Sequence, residues 1–194
     1  MNVHVGAFVF RDYPLAYIVY NNNDVPIKKL HEYVIIDSER TDVLDIEFSI
    51  QKLVDIALKS ISPAMNDPHT AINCINRIGE LLHDISKSEQ ETAYLVDNEK
   101  RLRCILKEKR FEDYLYKSFY QIRHYGKDDL SVMYGILEAL YKLSIVSNQT
   151  VKHKIWAFHF YIMDVINLNQ LSELDYVYFN ELYEAFKKCH HIAE

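Results

Sequence analysis

Glycine and proline are scarce, four of each in 194 residues. That excludes collagen-like and low-complexity architectures, and 49% apolar with 26% charged residues leaves no room for long disordered tracts. Three cysteines, Cys74, Cys104 and Cys189, stand far apart, odd in number and without a CxxC pair. This argues against a disulfide framework or a structural zinc site, and free thiols fit a reducing compartment. An unbroken apolar run is missing too. A membrane-spanning helix needs about 20 apolar residues in succession, and the nearest approach, Ile155 to Leu168, is interrupted by His159, Asp164 and Asn167. No signal peptide opens the chain. Positive charge is in deficit, with a net charge of −6, so no nucleic-acid partner is expected. The one basic cluster, Lys100, Arg101, Arg103, Lys107, Lys109 and Arg110, reads as the solvated surface of a hairpin. No Gly-rich phosphate loop, nucleophile elbow or HExxH occurs. His153 and His159 fall on different faces of a helix, and His190 and His191 sit at a frayed end. No cofactor, metal site or catalytic group is assigned.

What is present is strong local patterning. Val3, Val5, Phe8 and Phe10, a turn at Arg11-Asp12-Tyr13-Pro14, and Leu15 to Tyr20 read as a β-hairpin. A short helical piece follows Pro26, and Tyr33-Val34-Ile35-Ile36 reads as a third strand. From Thr41 the period changes to helical: Phe48, Leu53, Ile56, Ala57 and Ile61 lie on a wide apolar face, Asp45 is the expected N-cap, and Pro63 ends the helix. A second helix starts at Asn66-Asp67-Pro68 with Asp67 as cap, and buries Ala71, Ile72, Ile75, Ile78, Leu81 and Leu82. Thr92–Asp97 and Leu102–Lys107 alternate around Asn98-Glu99-Lys100-Arg101, which predicts another hairpin. Four helices follow, near Arg110–Tyr125, Asp128–Val146, Gln149–Leu168 and Glu173–His190. Asp128, Asn148 and Ser172 are their expected caps, and Gly126 closes the first in the C′ position. The helix around Trp156 is apolar on nearly every side and is expected at the centre of the bundle.

The expected fold is therefore α+β, mainly α: a helical bundle with one or two small antiparallel hairpins. The length suits a single domain, residues 1–194. Within it lie a β-rich appendage (1–37), a helix pair (41–86), a hairpin (92–107) and a bundle (110–190).

The segment ERTDVLDIEFSIQKLVDIALKSISPAMNDPHTAINCINRIGELL carries the most distinctive motifs. Arg40-Thr41, Asp45, Phe48, Leu53-Val54-Asp55-Ile56-Ala57-Leu58, Ser62-Pro63, Asn66-Asp67-Pro68, Thr70-Ala71, Cys74, Arg77 and Gly79 resemble the signature of a bacterial membrane-protein family, domain of unknown function 2254. Leu44, Ser49 and Asn76 depart from it, standing where the pattern has Gln, Gly and Asp. The opening Val5-Gly6-Ala7-Phe8-Val9 to Pro14-Leu15 is similar to the family's entry into this region. Agreement runs to about Leu82 and is loose beyond. The resemblance implies a domain preceded by transmembrane helices that are absent here, lying on the cytoplasmic side of the membrane, and it implies no reaction. Should the gene start at Met1, a free-standing cytosolic adaptor is the expectation instead. The opening hairpin is also similar to half of a biotinyl or lipoyl carrier domain, but no lysine occupies its turn.

Two readings of the signature's polar residues stand side by side. In one, Arg40, Thr41, Asp45, Asp55, Asn66, Asp67 and Thr70 form a ligand pocket. There the second helix's N-terminal N–H groups and Arg40 take an anionic group, and Asp45 or Asp55 serves as base or metal ligand. In the other they are structural: Asp67 caps, Asn66 binds the loop backbone, and Arg40 pairs with Asp55. The residue chemistry favours the structural network, hence a regulatory or assembly domain that self-associates; a small-ligand sensor or enzyme is the alternative. Fifteen tyrosines fit core edges with wet hydroxyls, or a protein interface.

Overall fold

Two prolines bracket the joint between the first pair of helices. In the computed structural model, which describes residues 3–4, 6–17, 19, 34–37, 45–87, 92–107 and 109–191, α1 runs Ile46–Ser60 and α2 runs Pro68–Lys87. The chain forms two compact units, residues 1–48 with 90–109 and residues 49–89 with 110–194.

In the first unit the antiparallel hairpin of β1 (Thr92–Val96) and β2 (Leu102–Lys107) falls where the alternation predicts it. A lone two-stranded ribbon is marginal in water, and here the turn is locked by one carboxylate. Asp97 accepts the Glu99 and Arg101 amides at 3.0 and 2.9 Å, and its second oxygen takes the Nε of Arg101 and of Arg103, both at 2.9 Å. The Arg101 amide foremost, then the two guanidinium groups and the Glu99 amide, outweigh desolvation and hold Asp97 at a pKa of about 2. The basic cluster is thus partly neutralised at the hairpin tip, and Lys109 pairs with Glu47.

The expected opening hairpin is a correction. The turn is present at Arg11–Asp12, with Asp12 at φ 66° and the Tyr13 amide donating to the Phe10 carbonyl at 3.2 Å. No strand flanks it among the described residues, nor at 34–36. Phe8 and Ile35 are about nine-tenths exposed, at 86% and 85%. Alternation earns a strand only when one face has something to cover it. Val5, Ile18, Tyr20, Tyr33 and the helical piece after Pro26 lie outside the described residues.

The second unit is a bundle completed by α3 (Phe111–Gly126), α4 (Leu130–Val146), α5 (Gln149–Met163) and α6 (Glu173–His191). Its centre is α4, which packs against α2, α3, α5 and α6. Val132, Met133, Ile136, Leu137, Leu140 and Leu143 are buried on several sides of it. The expectation that the Trp156 helix is central is corrected: α5 buries one stripe, Val151, Ile155, His159 and Ile162, and leaves Phe160 56% exposed. Its other aromatics line the flanks, where large rings are half-buried more easily than fully enclosed. Of the expected α2 stripe, Ala71, Ile75, Ile78 and Leu82 are buried and Cys74 joins them, while Ile72 and Leu81 are half-buried at its edges.

Caps follow local chemistry. Asn148 accepts from the Val151 amide at 2.9 Å, and Ser172 accepts from the Asp175 amide at 3.2 Å while donating to its carboxylate at 2.7 Å. The α4 cap is Asp129 rather than Asp128, accepting from the Ser131 and Val132 amides. The expected C′ role of Gly126 is also corrected. It is the last residue of α3, the following Lys127 has φ −59°, and a Cβ at Gly126 would meet Val132 Cγ1 at 2.8 Å. This glycine is required by packing. α5 ends at Met163, short of Leu168, where Asn167 takes over as cap of a 3-10 turn by accepting from the Asn169 amide.

Candidate functional site

The signature motif Ser62-Pro63-Ala64-Met65-Asn66-Asp67-Pro68 builds the α1–α2 joint, and its hydrogen bonds show how. The last carbonyls of a helix and the first amides of the next lack intrahelical partners. Here the loop supplies both sets. The Asp67 amide donates to the Ser60 carbonyl at 2.8 Å, and the Asn66 amide donates to the Ser62 carbonyl at 2.9 Å. Ser60 and Ser62 hydroxyls fold back on the Ala57 and Lys59 carbonyls, each at 2.7 Å. Asp67 then caps α2, accepting from the Thr70 amide at 3.1 Å and the Thr70 hydroxyl at 2.6 Å. The hydroxyl bond is the main cause that holds the Asp67 carboxyl below the usual carboxylate range. The turn needs one residue in the left-handed region, and Asn66 takes it at φ 48°, a conformation asparagine tolerates better than most. Its carboxamide is left exposed.

The other predicted site residues do not gather there. Asp45 stands at the opposite end of α1, accepting from the Phe48 amide at 3.2 Å as an N-cap. A helix of this length spans about 22 Å at 1.5 Å per residue. Asp55 points outward, exposed, and accepts from Gln51 Nε2 at 2.9 Å. Arg40 and Thr41, and with them the Arg40–Asp55 pair, lie outside the described residues. Of the seven, Asp67 and Thr70 are joined, Asn66 shapes their turn, and Asp45 and Asp55 are spaced along the helix. The motif's Cys74 is buried, which pushes its thiol up and away from nucleophilic use. Arg77 is exposed and paired with Glu80 at 2.7 Å. Gly79 stands where an added Cβ would be 3.7 Å from Ala139 Cβ of α4.

Concave surface occurs elsewhere, along α3 and α5. Two adjoining open depressions, about 540 and 330 Å³, share Tyr116 and Tyr161 as walls. Tyr116 stacks on Tyr120 with ring centres 4.9 Å apart. Ion pairs stand at either end, Lys154 with Glu112 at 3.2 Å and Arg123 with Asp164 at 3.3 Å. Arg123 also lies 4.0 Å over the Tyr161 ring and donates from Nε to the Tyr161 carbonyl at 2.7 Å. The walls are mainly aromatic, with paired charges at either end. The tyrosine cluster of this helix is visible in sequence; its partners on α5 are not. His159 is a second residue to which sequence reasoning assigned no role. Its spacing from Val151 and Ile155 places it on the buried stripe, and that signal was available. Among the described residues, no three His, Cys, Asp or Glu side chains gather to hold a metal.

The family model described as "Predicted membrane protein (DUF2254)" matches residues 1–142. Three uncharacterized mycobacterial proteins, one from Mycobacterium bovis and two from Mycobacterium tuberculosis strains, are each 33% identical over 118 residues, 61% of this chain. The chain's match spans 22% of the length of these curated relatives. No solved structure matches it. Among the described residues no helix is long and apolar enough to cross a membrane. With the signature at the α1–α2 joint and a match over most of its length, the chain belongs to the DUF2254 family of predicted membrane proteins.

Proposed function

We propose that this chain is a regulatory or assembly domain of a membrane protein, held at the cytoplasmic face and self-associating. The observation that carries the reading is the use made of the signature's polar groups. Asp67 and Thr70 close on each other at the start of α2, the Asp67 amide completes the end of α1, and the Asn66 amide closes the loop on Ser62. Groups tied into caps are not free to bind and turn over a substrate. The tyrosine-walled depressions on α3 and α5 support an interface, since tyrosine buries much area at small entropic cost. The family's description supports a place at the membrane. The free thiols Cys74, Cys104 and Cys189 support its reducing side.

Sedimentation equilibrium over a wide concentration range tests the association. A concentration-dependent mass that Tyr116→Ala with Tyr161→Ala reduces is expected, and a monomer throughout would sink the assembly reading. Labelling of half-buried Cys104 by a membrane-impermeant maleimide tests the side. Cysteine modified in lysed but not in intact cells is expected, and modification in intact cells would put the domain on the other face.

A further inference from the structure

His159 is fully buried between α5 and α6. Its Nδ1 is hydrogen-bonded to the Trp156 carbonyl. A carbonyl only accepts, so Nδ1 carries the proton and Nε2 is a bare lone pair. That Nε2 is buried and, among the described residues, has no hydrogen-bond partner. Around the ring are Trp156 and Phe160, each with centres 4.0 Å away, then Phe186 at 5.5 Å and Tyr183 at 5.9 Å. A neutral imidazole is tolerated in such a place, whereas an imidazolium without a counter-charge is disfavoured, the stacked Trp156 face offsetting only part of the cost of burying the charge.

Among the described residues, the charged and titratable groups nearby do not supply that counter-charge. From α6, Lys187 sits 4.3 Å over the Tyr183 ring and takes up the carboxylate of Glu184 at 2.7 Å. His190, also on α6, lies 4.7 Å from the Trp156 ring with its Nε2 3.2 Å from Ser144 Oγ of α4. α4 otherwise presents Tyr141 to the cluster, through Phe186. α3 meets α5 on a different face, where Glu112 and Arg123 pair with Lys154 and Asp164. The packing α6 contributes is thin: Phe179, Leu182 and Phe186 are its buried apolar residues, and 173–178 are exposed all round.

We propose that His159 is a proton-operated latch: neutral, it lets α6 pack on α5 and α4, and protonated, it drives α6 off them. This goes beyond the assembly reading and does not depend on it. The helix pair it controls lies outside the residues that the family model matches. Release would uncover Tyr134 and Tyr141 of α4, which Phe179 and Phe186 now cover edge-on.

The sign follows from linkage. Burial, with Lys187 adding to it and the Trp156 bond opposing, holds the His159 pKa below the ordinary histidine value. The released state therefore binds the proton first as pH falls. The latch is fully closed above about pH 6.5, and below that the released population grows by up to about tenfold per pH unit until the buried pKa is reached.

Amide exchange and Trp156, the chain's one tryptophan, read this directly. Corrected for intrinsic rates, protection of α6 should fall about tenfold per pH unit below about 6.5, while α2 and α4 amides keep theirs and Trp156 emission shifts in step. His159→Phe should abolish the slope and His190→Gln should keep it. A flat α6 profile in the parent, or an unchanged slope in His159→Phe, overturns the proposal. Imidazole NMR of the parent chain needs no variant. A His159 ring still in the neutral Nδ1–H form below the ordinary value is expected, and one that protonates at that value with α6 still protected overturns the latch.

Discussion

Asn66 and Asp67 are neighbours with different demands on their side chains. Asp67 works through its carboxylate, which reaches the Thr70 amide and hydroxyl. Asn66 works through its backbone, held at φ 48°. A left-handed residue with a Cβ costs about 1–2 kcal/mol, less for asparagine and nothing for glycine. Asn66→Ala should therefore lower stability by about 1 kcal/mol, and Asn66→Gly should leave it unchanged or slightly raised, both read from urea midpoints with m-values compared. If Asn66→Gly loses as much as Asn66→Ala, the carboxamide itself is doing the stabilising and the backbone account is wrong. If both substitutions raise stability, Asn66 is held at some cost to folding, as ligand-site residues are, and the sensor alternative gains.

At the scale of elements, the glycines of the bundle separate helix propensity from packing. Gly79 lies inside α2, with room for a Cβ 3.7 Å from Ala139. Removing the conformational freedom of glycine there should stabilise the chain by about 0.5–1 kcal/mol in Gly79→Ala. Gly126 has the same propensity to gain at the end of α3, but its added methyl would stand 2.8 Å from Val132 Cγ1 and 3.4 Å from Ile61 Cδ1. Valine is stiff at χ1 and cannot swing aside. Gly126→Ala should therefore lose about 1–3 kcal/mol despite its better helix propensity. Thermal melts of the two variants should move in opposite directions; a common direction would mean that one of these two close approaches is misjudged.

For the whole molecule, stability should be concentrated in α4. Leu137 is fully buried on that helix, which touches four others, while Ile145 near its end is 53% exposed. Leu137→Ala should cost about 2–5 kcal/mol, through lost transfer energy and the cavity left behind. Ile145→Ala, on the same helix, should stay within about 0.5 kcal/mol of the parent. Comparable losses at the two positions would contradict α4 as the centre. The same gradient explains why α6 is the helix that a single protonation can release: its buried apolar residues are Phe179, Leu182 and Phe186, along one side.

What the amino-acid order determined by itself is local. Asp45, Asp67, Asn148 and Ser172 cap because a short polar side chain reaches its own helix's amides in any context. Proline ends α1, and alternation around Asp97 to Arg101 sets the hairpin, so these boundaries and the α1–α2 joint were legible. What only the tertiary structure decided depends on distant partners. Asp55 faces solvent because Val54 and Ala57 take the covered side of α1. α4 rather than α5 is central because burial depends on how many neighbours an apolar face meets, which periodicity along one helix does not record. The opening residues alternate like a strand yet are not one among the described residues, because strand pairing is a contact between segments. The Tyr116–Tyr161 walls and the orphaned Nε2 of His159 were equally out of reach, since each exists only once side chains of different helices close on one another.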